Sequence, residues 1–207
     1  MMSKKLVIFD LDGVLIDSRD NMKYAWEAVK SETKISVEFA QYFELIGMPF
    51  FDILDTLHLS SQAKEIEEIF RTSSAKKMPQ VNFYPRVVGT LNKLRHKGLK
   101  LSVVTSKDKL RTDAVLSRLP FLFDDVQTPN DFYRGKPAPD HLLLTMAVTQ
   151  VDPNDSLYIG DMDVDFDASI RAGIDYLHAD WGYGERPSEK VSVIDSIEDI
   201  NNYLGLM

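Results

Sequence analysis

The sequence predicts an α/β fold, with a parallel sheet, helices on both of its faces and an all-helical segment inserted behind the first strand. Three observations carry this. From residue 82 to residue 180, short apolar runs alternate with stretches of helical period, as in parallel strands joined by right-handed crossovers. Residues 17 to 82 hold helical patterns and little strand signal. One apolar run, "LVIF" at 6–9, stands alone ahead of that helical block, so its strand partners lie beyond it.

The elements follow in order. Leu6 to Phe9 is short and apolar throughout, the mark of a strand buried on both faces. From about Ser18 the period changes. Met22, Ala25, Trp26 and Val29 share one helical face, which places Trp26 in packing. Helices are expected near Val37 to Ile46, Phe51 to Leu57 and Gln62 to Lys76, with "GMP" at 47–49 separating the first two. A helix from about Arg86 to Lys97 stops at Gly98, a residue suited to the left-handed position after a helix. "LKLSVVTS" reads as a strand, Lys109 to Leu119 as a helix and Phe123 to Gln127 as a short strand. Pro137 to Thr149 is helical, "SLYIGD" a strand, Asp163 to Ala172 a helix ending at Gly173, and "IDYLHAD" the last strand. The organisation is a Rossmann-like core of residues 1–16 and 83–207 with a helical cap of residues 17–82.

Composition narrows the function. Acidic residues number 32 against 24 basic ones, a net charge of −8, which argues against duplex nucleic acid or an anionic membrane as partner. A small phosphorylated metabolite remains compatible, since one local Lys or a bound cation outweighs the global field. With no Cys, thiolate nucleophiles and thiolate metal sites are absent. Lys4 and Lys5 precede only Leu6 to Phe9, too short for a signal-peptide core, and the uncharged run His141 to Val151 falls short of the ~18 residues of a membrane span. The expectation is a soluble, cytoplasmic protein. Nothing in the sequence indicates an oligomeric state.

In such a sheet, ligands bind beyond the carboxyl ends of the strands. Asp10 and Asp12, Thr105 and Ser106, and Asp161 with Asp165 stand at those ends, and Lys136 lies in the loop "RGKPAPD". Taken singly, any one of them reads first as a helix cap or turn residue. Together they make a ring of acids with one Lys and one Thr. Clustered carboxylates repel unless a cation sits among them. Oxygen ligands few in number suit Mg²⁺, which keeps waters and accepts phosphate oxygens. These are parts for phosphoryl transfer.

The motifs "DLDGV" at 10–14, "LSVVTSK" at 101–107, "GKPAPD" at 135–140 and "IGDMDVDFDASIRAG" at 159–173 occur in the order of the haloacid dehalogenase-like hydrolases. With "WGYG" at 181–184, the chain resembles the phosphoglycolate phosphatase-like branch, which has a helical cap. The resemblance implies Asp10 as nucleophile, becoming a phosphoaspartyl intermediate, and Asp12 as general acid and then base. It implies Thr105 on the transferring phosphoryl group and Lys136 balancing charge. Mg²⁺ would be held by Asp10, Asp161 and the backbone carbonyl of Asp12, with Asp165 in support.

Other residues divide two ways. Ser106 and Gly47 are candidate substrate contacts, although the turn at 47–50 reads equally as a plain helix–helix turn. Arg19 is placed for a substrate carboxylate or sugar, or is a surface residue of the hinge. Lys107 reads as a substrate contact or as a surface Lys. Asp163 and Asp167 read as solvated helix residues, and the four His have no ligand spacing. A dehalogenase would lack Asp12. The β-phosphoglucomutase-like alternative wants a His four residues before Trp26, where Met22 stands. A non-catalytic binding protein on the same fold is the third reading.

Overall fold

The computed structural model describes residues 4–206. Strand β1, Leu6–Phe9, is buried along its whole length at the centre of a six-stranded parallel sheet. A two-residue strand β2, Ile16–Asp17, leads into four helices: α1 Arg19–Thr33, α2 Phe39–Phe43, α3 Phe50–Thr56 and α4 Ala63–Lys77. Strand β3, Asn82–Phe83, returns antiparallel to β2 and closes that excursion. The chain then alternates through α5 Val87–His96, β4 Lys100–Val104, α6 Lys109–Leu116, β5 Asp125–Gln127, α7 Asp140–Thr149, β6 Ser156–Gly160, α8 Asp163–Ala172 and β7 Asp175–Ala179. It ends with β8, Ser192–Ile194, and α9, Asp199–Tyr203.

The sheet order is β5-β4-β1-β6-β7-β8. The chain therefore builds outward from β1 on one side and then crosses to the other, making a topological switch point beside β1. Register aligns the strand ends. Phe9 lies level with Val103 on one side and Ile159 on the other, so Asp10, Thr105 and Asp161 leave the sheet at one edge.

The pleat sends alternate residues of β1 to opposite faces. Val7 and Phe9 join one apolar cluster with Leu91, Leu101 and Leu177, whereas Leu6 and Ile8 join another with Leu142, Met146 and Tyr158. Each such fully buried side chain contributes about 1.5–3 kcal/mol. The helices between β2 and β3 have a core of their own around Met22, Trp26, Tyr42, Ile53 and Phe70. Trp26 stacks on Tyr42 at 4.4 Å between centroids, and its Nε1–H donates to the Val37 carbonyl at 3.0 Å.

Three expectations need correcting. "IDYLHAD" is not the last strand, since β8 pairs beyond it; three residues between charged segments are too few to show a period. The second insert helix covers only Phe39–Phe43, less than the expected Val37 to Ile46. Helix α7 begins at Asp140 rather than Pro137, as prolines at 137 and 139 disfavour helical geometry in the residues before them. No helix among the described residues is long and apolar enough to cross a membrane.

Candidate active site

Asp10 follows the last residue of β1 and is only 4% exposed. Its backbone N–H donates to the Ile159 carbonyl at 2.8 Å, extending the ladder one residue beyond the strand. Gly13 then turns the chain at φ +87°, where a Cβ would lie 2.0 Å from Asp161 Oδ2. A Cβ at Gly182, in "WGYG", would lie 2.2 Å from Asp161 Cβ. Two glycines thus let backbone close around the Asp161 carboxylate.

Lys136 joins the acids. Its Nζ donates to Asp10 Oδ1 and to Asp165 Oδ1, both at 2.7 Å, and all three side chains are buried. Asp165 is fully engaged. Its Oδ1 also accepts from the Tyr158 hydroxyl at 2.8 Å, and its Oδ2 accepts the backbone N–H groups of Asp161 at 3.2 Å and Met162 at 3.1 Å. That geometry makes Asp165 an anchor for Lys136 and for the first turn of α8.

Asp161 differs. Its Oδ2 accepts the Tyr183 N–H at 2.7 Å, but its Oδ1 is buried with no hydrogen-bond partner among the described residues. Oxygens of Asp10, Asp161 and Asp165 lie within 4.8 Å of one another. Burial, with Asp165 and Asp12 adding repulsion, pushes Asp10 up to about 7 against the pull of Lys136. Burial, then Asp165 and Asp10, hold Asp161 well above the carboxylate range. Burial lowers Lys136, but its two carboxylates outweigh burial and raise it. An orphaned oxygen in a crowd of desolvated acids fits a hard divalent cation such as Mg²⁺.

Asp12 is less enclosed. Its Oδ1 accepts from the Ser18 hydroxyl and pairs with Lys107 Nζ at 3.0 Å. Thr105, at the end of β4, is 2% exposed, and its Oγ1 accepts the Lys107 N–H at 3.1 Å. The Ser106 hydroxyl donates to the Gly47 carbonyl at 2.5 Å, joining the sheet edge to the helical insert.

These groups open onto a cavity of about 1000 Å³ lined by Asp10, Asp12, Thr105, Ser106, Lys107 and Lys136 from the sheet edge. Tyr42, Gly47, Met48, Pro49, Phe50 and Phe70 line it from the insert. The cavity lining does not include Arg19. That residue is exposed, with its guanidinium 4.6 Å from the Phe43 ring centroid. Asp163 and Asp167 are exposed on α8.

Of the two readings of Lys107, the surface one is corrected: the residue is buried, and burial lowers its pKa more than Asp12 raises it. Sequence reasoning missed several groups. Arg111 is also buried, pairing with Asp108 and donating to Ser74 Oγ at 3.0 Å, while Ser74 Oγ donates to Asn21 Oδ1 at 2.5 Å. This polar chain ties α6 to α4 and α1. Tyr183 accepts the Ser18 N–H at 2.7 Å and donates to Asp17 Oδ1 at 3.1 Å, bracing the start of the insert. Its place in "WGYG" was the only available signal. His141 lines the cavity with Nε2 3.2 Å from Asn130 Nδ2.

Comparison with known proteins agrees with this architecture. The family model described as haloacid dehalogenase-like hydrolase matches residues 7–179. The chain is 29% identical over 207 residues to a phosphoglycolate phosphatase of Aquifex aeolicus, covering 93% of this chain and 97% of that one. It is 24% identical to the pyrophosphatase PpaX of Oceanobacillus iheyensis, covering 99% and 98%. Among solved structures, a hydrolase from Pseudomonas syringae superposes with a TM-score of 0.86 at 24% identity, covering 99% of each chain. A haloacid dehalogenase-like family hydrolase from Streptococcus pneumoniae gives 0.84 at 22%, covering 98% and 99%. The chain belongs to the haloacid dehalogenase-like hydrolase family, on the side of its phosphoglycolate phosphatase-like members.

Proposed function

We propose that the chain is a Mg²⁺-dependent phosphatase for a small phosphate monoester, acting through a phosphoaspartyl intermediate on Asp10. The observation that carries this is the meeting of Asp10, Asp12, Thr105 and Lys136 at one cavity, with Lys136 fixed on the Asp10 carboxylate at 2.7 Å.

In the first step an oxygen of Asp10 attacks phosphorus, and the bond from phosphorus to the leaving oxygen breaks. The electron pair goes to that oxygen, which takes a proton from Asp12. In the second step Asp12, now a carboxylate, takes a proton from water as the water oxygen attacks phosphorus. The bond from Asp10 to phosphorus breaks and the carboxylate is restored. One water is consumed; the alcohol and phosphate leave. Asp12 Oδ1 is held by Ser18 and Lys107, which leaves Oδ2 for the proton. Thr105 Oγ1 accepts from Lys107 N–H, so its own proton can go to a phosphoryl oxygen. Lys136 offsets the charge of Asp10 and of the phosphoryl group. Asp10, Asp161 and the Asp12 carbonyl would hold Mg²⁺, which supplies charge neutralisation at the phosphoryl oxygens when bound.

Residues 17–82 act as a cap on the core of residues 1–16 and 83–207, hinged at the β2–β3 pair. The cap supplies selection that motifs for phosphoryl group and metal cannot. Phosphoglycolate is the first candidate, on the likeness to phosphoglycolate phosphatases and the "WGYG" stretch. A sugar phosphate is the next. Met22, in the position where the mutase pattern has His, lines the cavity and disfavours phosphosugar transfer. A net charge of −8 disfavours polyanionic substrates. Release of phosphate from a panel of small phosphorylated metabolites, with and without Mg²⁺, tests the proposal. Turnover of several small esters only with the metal is expected. A purified sample that acts fastest on a folded phosphoprotein, or on nothing, refutes it.

A further inference from the structure

In the phosphoryl transfer the Lys107 ammonium does no more than hold Asp12 Oδ1, yet the side chain is 3% exposed and lines the cavity. Burying an ammonium costs several kcal/mol unless other groups compensate. One acceptor, Asp12 Oδ1 at 3.0 Å, meets its three donors among the described residues. The neighbouring charges are committed elsewhere. Arg111 is bound to Asp108 and Ser74, and Arg71 to Glu67 at 2.7 Å. Lys107 is therefore a desolvated cation with spare donors facing a cavity.

Its position says what those donors meet. Asp12 delivers the proton to the leaving oxygen, so the first atoms of the leaving group lie beside Asp12 and therefore beside Lys107. In phosphoglycolate a carboxylate sits one carbon beyond that oxygen; in pyrophosphate the second phosphorus is bonded to it directly. A neutral alkyl group there would leave the ammonium's donors facing it unpaired.

We infer that Lys107 is a specificity-determining residue that binds an anionic group carried by the leaving group within one or two bonds of the scissile oxygen. This rests on the phosphatase reading. Preferred substrates then carry a second anion, a carboxylate or a phosphate, next to the bond that breaks.

The test is kcat/KM of the Mg²⁺-loaded wild-type protein, Lys107→Met and Lys107→Arg on three substrates. Phosphoglycolate and inorganic pyrophosphate carry the anion, and ethyl phosphate replaces the carboxylate by a methyl group. Glycolate is also a slightly better leaving group than ethanol, so the quantity read is the change in the substrate ratio on substitution. Lys107→Met should lose about 10- to 100-fold more on the anionic substrates than on ethyl phosphate, mainly through KM. Lys107→Arg, which keeps the charge, should retain most of the preference. The substrate that loses more shows whether carboxylate or phosphate is the natural anion. Equal losses on all three in Lys107→Met would mean that Lys107 only positions Asp12, and would overturn the inference, as would equal ratios in the Met and Arg variants. A second measurement needs no variant: glycolate should inhibit wild-type turnover of ethyl phosphate competitively at concentrations where ethylene glycol does not, and equal inhibition overturns the inference. Wild-type protein that turns over no phosphate compound refutes the phosphatase reading itself; turnover with an unmoved ratio refutes the role of Lys107 alone.

Discussion

Lys136 and Lys107 are equally buried, each with 3% of its side chain exposed, but their surroundings differ. Lys136 lies between Asp10 and Asp165, and Asp165 is itself bound by Tyr158 and two backbone N–H groups. Among the described residues Lys107 holds only Asp12, whose side chain stays 18% exposed. The two carboxylates outweigh burial and raise the pKa of Lys136, whereas burial wins at Lys107 and lowers it. In the half of the site that would take the phosphoryl group, the lysine is buried and held by two carboxylates. The half that would face the leaving group keeps unspent hydrogen-bonding capacity. A single architecture can therefore hold one chemistry fixed while its substrate varies.

The largest expected effect falls on the open half. Asp12→Asn should cost roughly 10² to 10⁴ in kcat for an alkyl phosphate through lost proton transfer. p-Nitrophenyl phosphate, whose leaving group needs little protonation, should lose less in formation of the phosphoenzyme. Equal losses, timed in the first turnover, would remove the distinction between Asp12 and a purely structural acid.

Next comes the metal. Chelation should silence the protein and Mg²⁺ restore it, while Ca²⁺, with its larger and looser shell, should restore it poorly. Asp161→Ala should raise the Mg²⁺ requirement sharply, whereas exposed Asp163 should tolerate Ala. Similar requirements in the two variants would contradict the reading of the orphaned Asp161 oxygen.

The lysines can be compared directly by denaturation. Lys136→Met leaves Asp10 and Asp165 buried without their cation and should cost about 3–5 kcal/mol. Lys107→Met leaves Asp12 with Ser18 and some solvent, and should cost less than about 2 kcal/mol. Equal costs would erase the contrast between the halves.

A smaller effect is set by pH. In the metal-free fold Asp10 is raised to about 7 and Asp161 is raised as well, so the folded state holds protons that the unfolded chain has released. The contribution of such groups is full below about pH 4 and is lost as pH rises through about 7. Lys136, raised above its ordinary value, loses its contribution only in the alkaline range. The metal-free Tm should fall between about pH 5 and 8, with Mg²⁺ giving its largest gain at the upper end. Asp161→Asn should flatten the slope; an unchanged slope would place the buried protons elsewhere.

Much of the core was legible in the sequence because its signals are local. "LVIF" is a buried strand by composition, and Asp163 to Ala172 is a helix by period and its closing Gly173. The convergence of Asp10, Thr105 and Asp161 came from the rule that ligands gather at strand ends. What was illegible depends on contacts far apart in the chain. The Arg111–Ser74–Asn21 chain arises only when α6 meets α4 and α1, and the Lys107–Asp12 pair joins residues 95 apart; no spacing encodes either meeting. Arg19 sits beside the first motif in sequence, but helix α1 directs it onto Phe43. Gly47 was placed by its turn, yet its partner Ser106 lies 59 residues away.

Everything proposed for the site depends on Asp10 carrying the phosphoryl group. The direct measurement is intact-protein mass after rapid acid quench of Mg²⁺-loaded enzyme turning over a good substrate, followed by peptide mapping. The mass should rise by one phosphoryl group on the peptide containing Asp10. A folded Asp10→Asn should show no such gain and no more than roughly a hundredth of the turnover. Steady turnover with no phosphorylated protein at any quench time, or the same gain in Asp10→Asn, would contradict a nucleophilic Asp10.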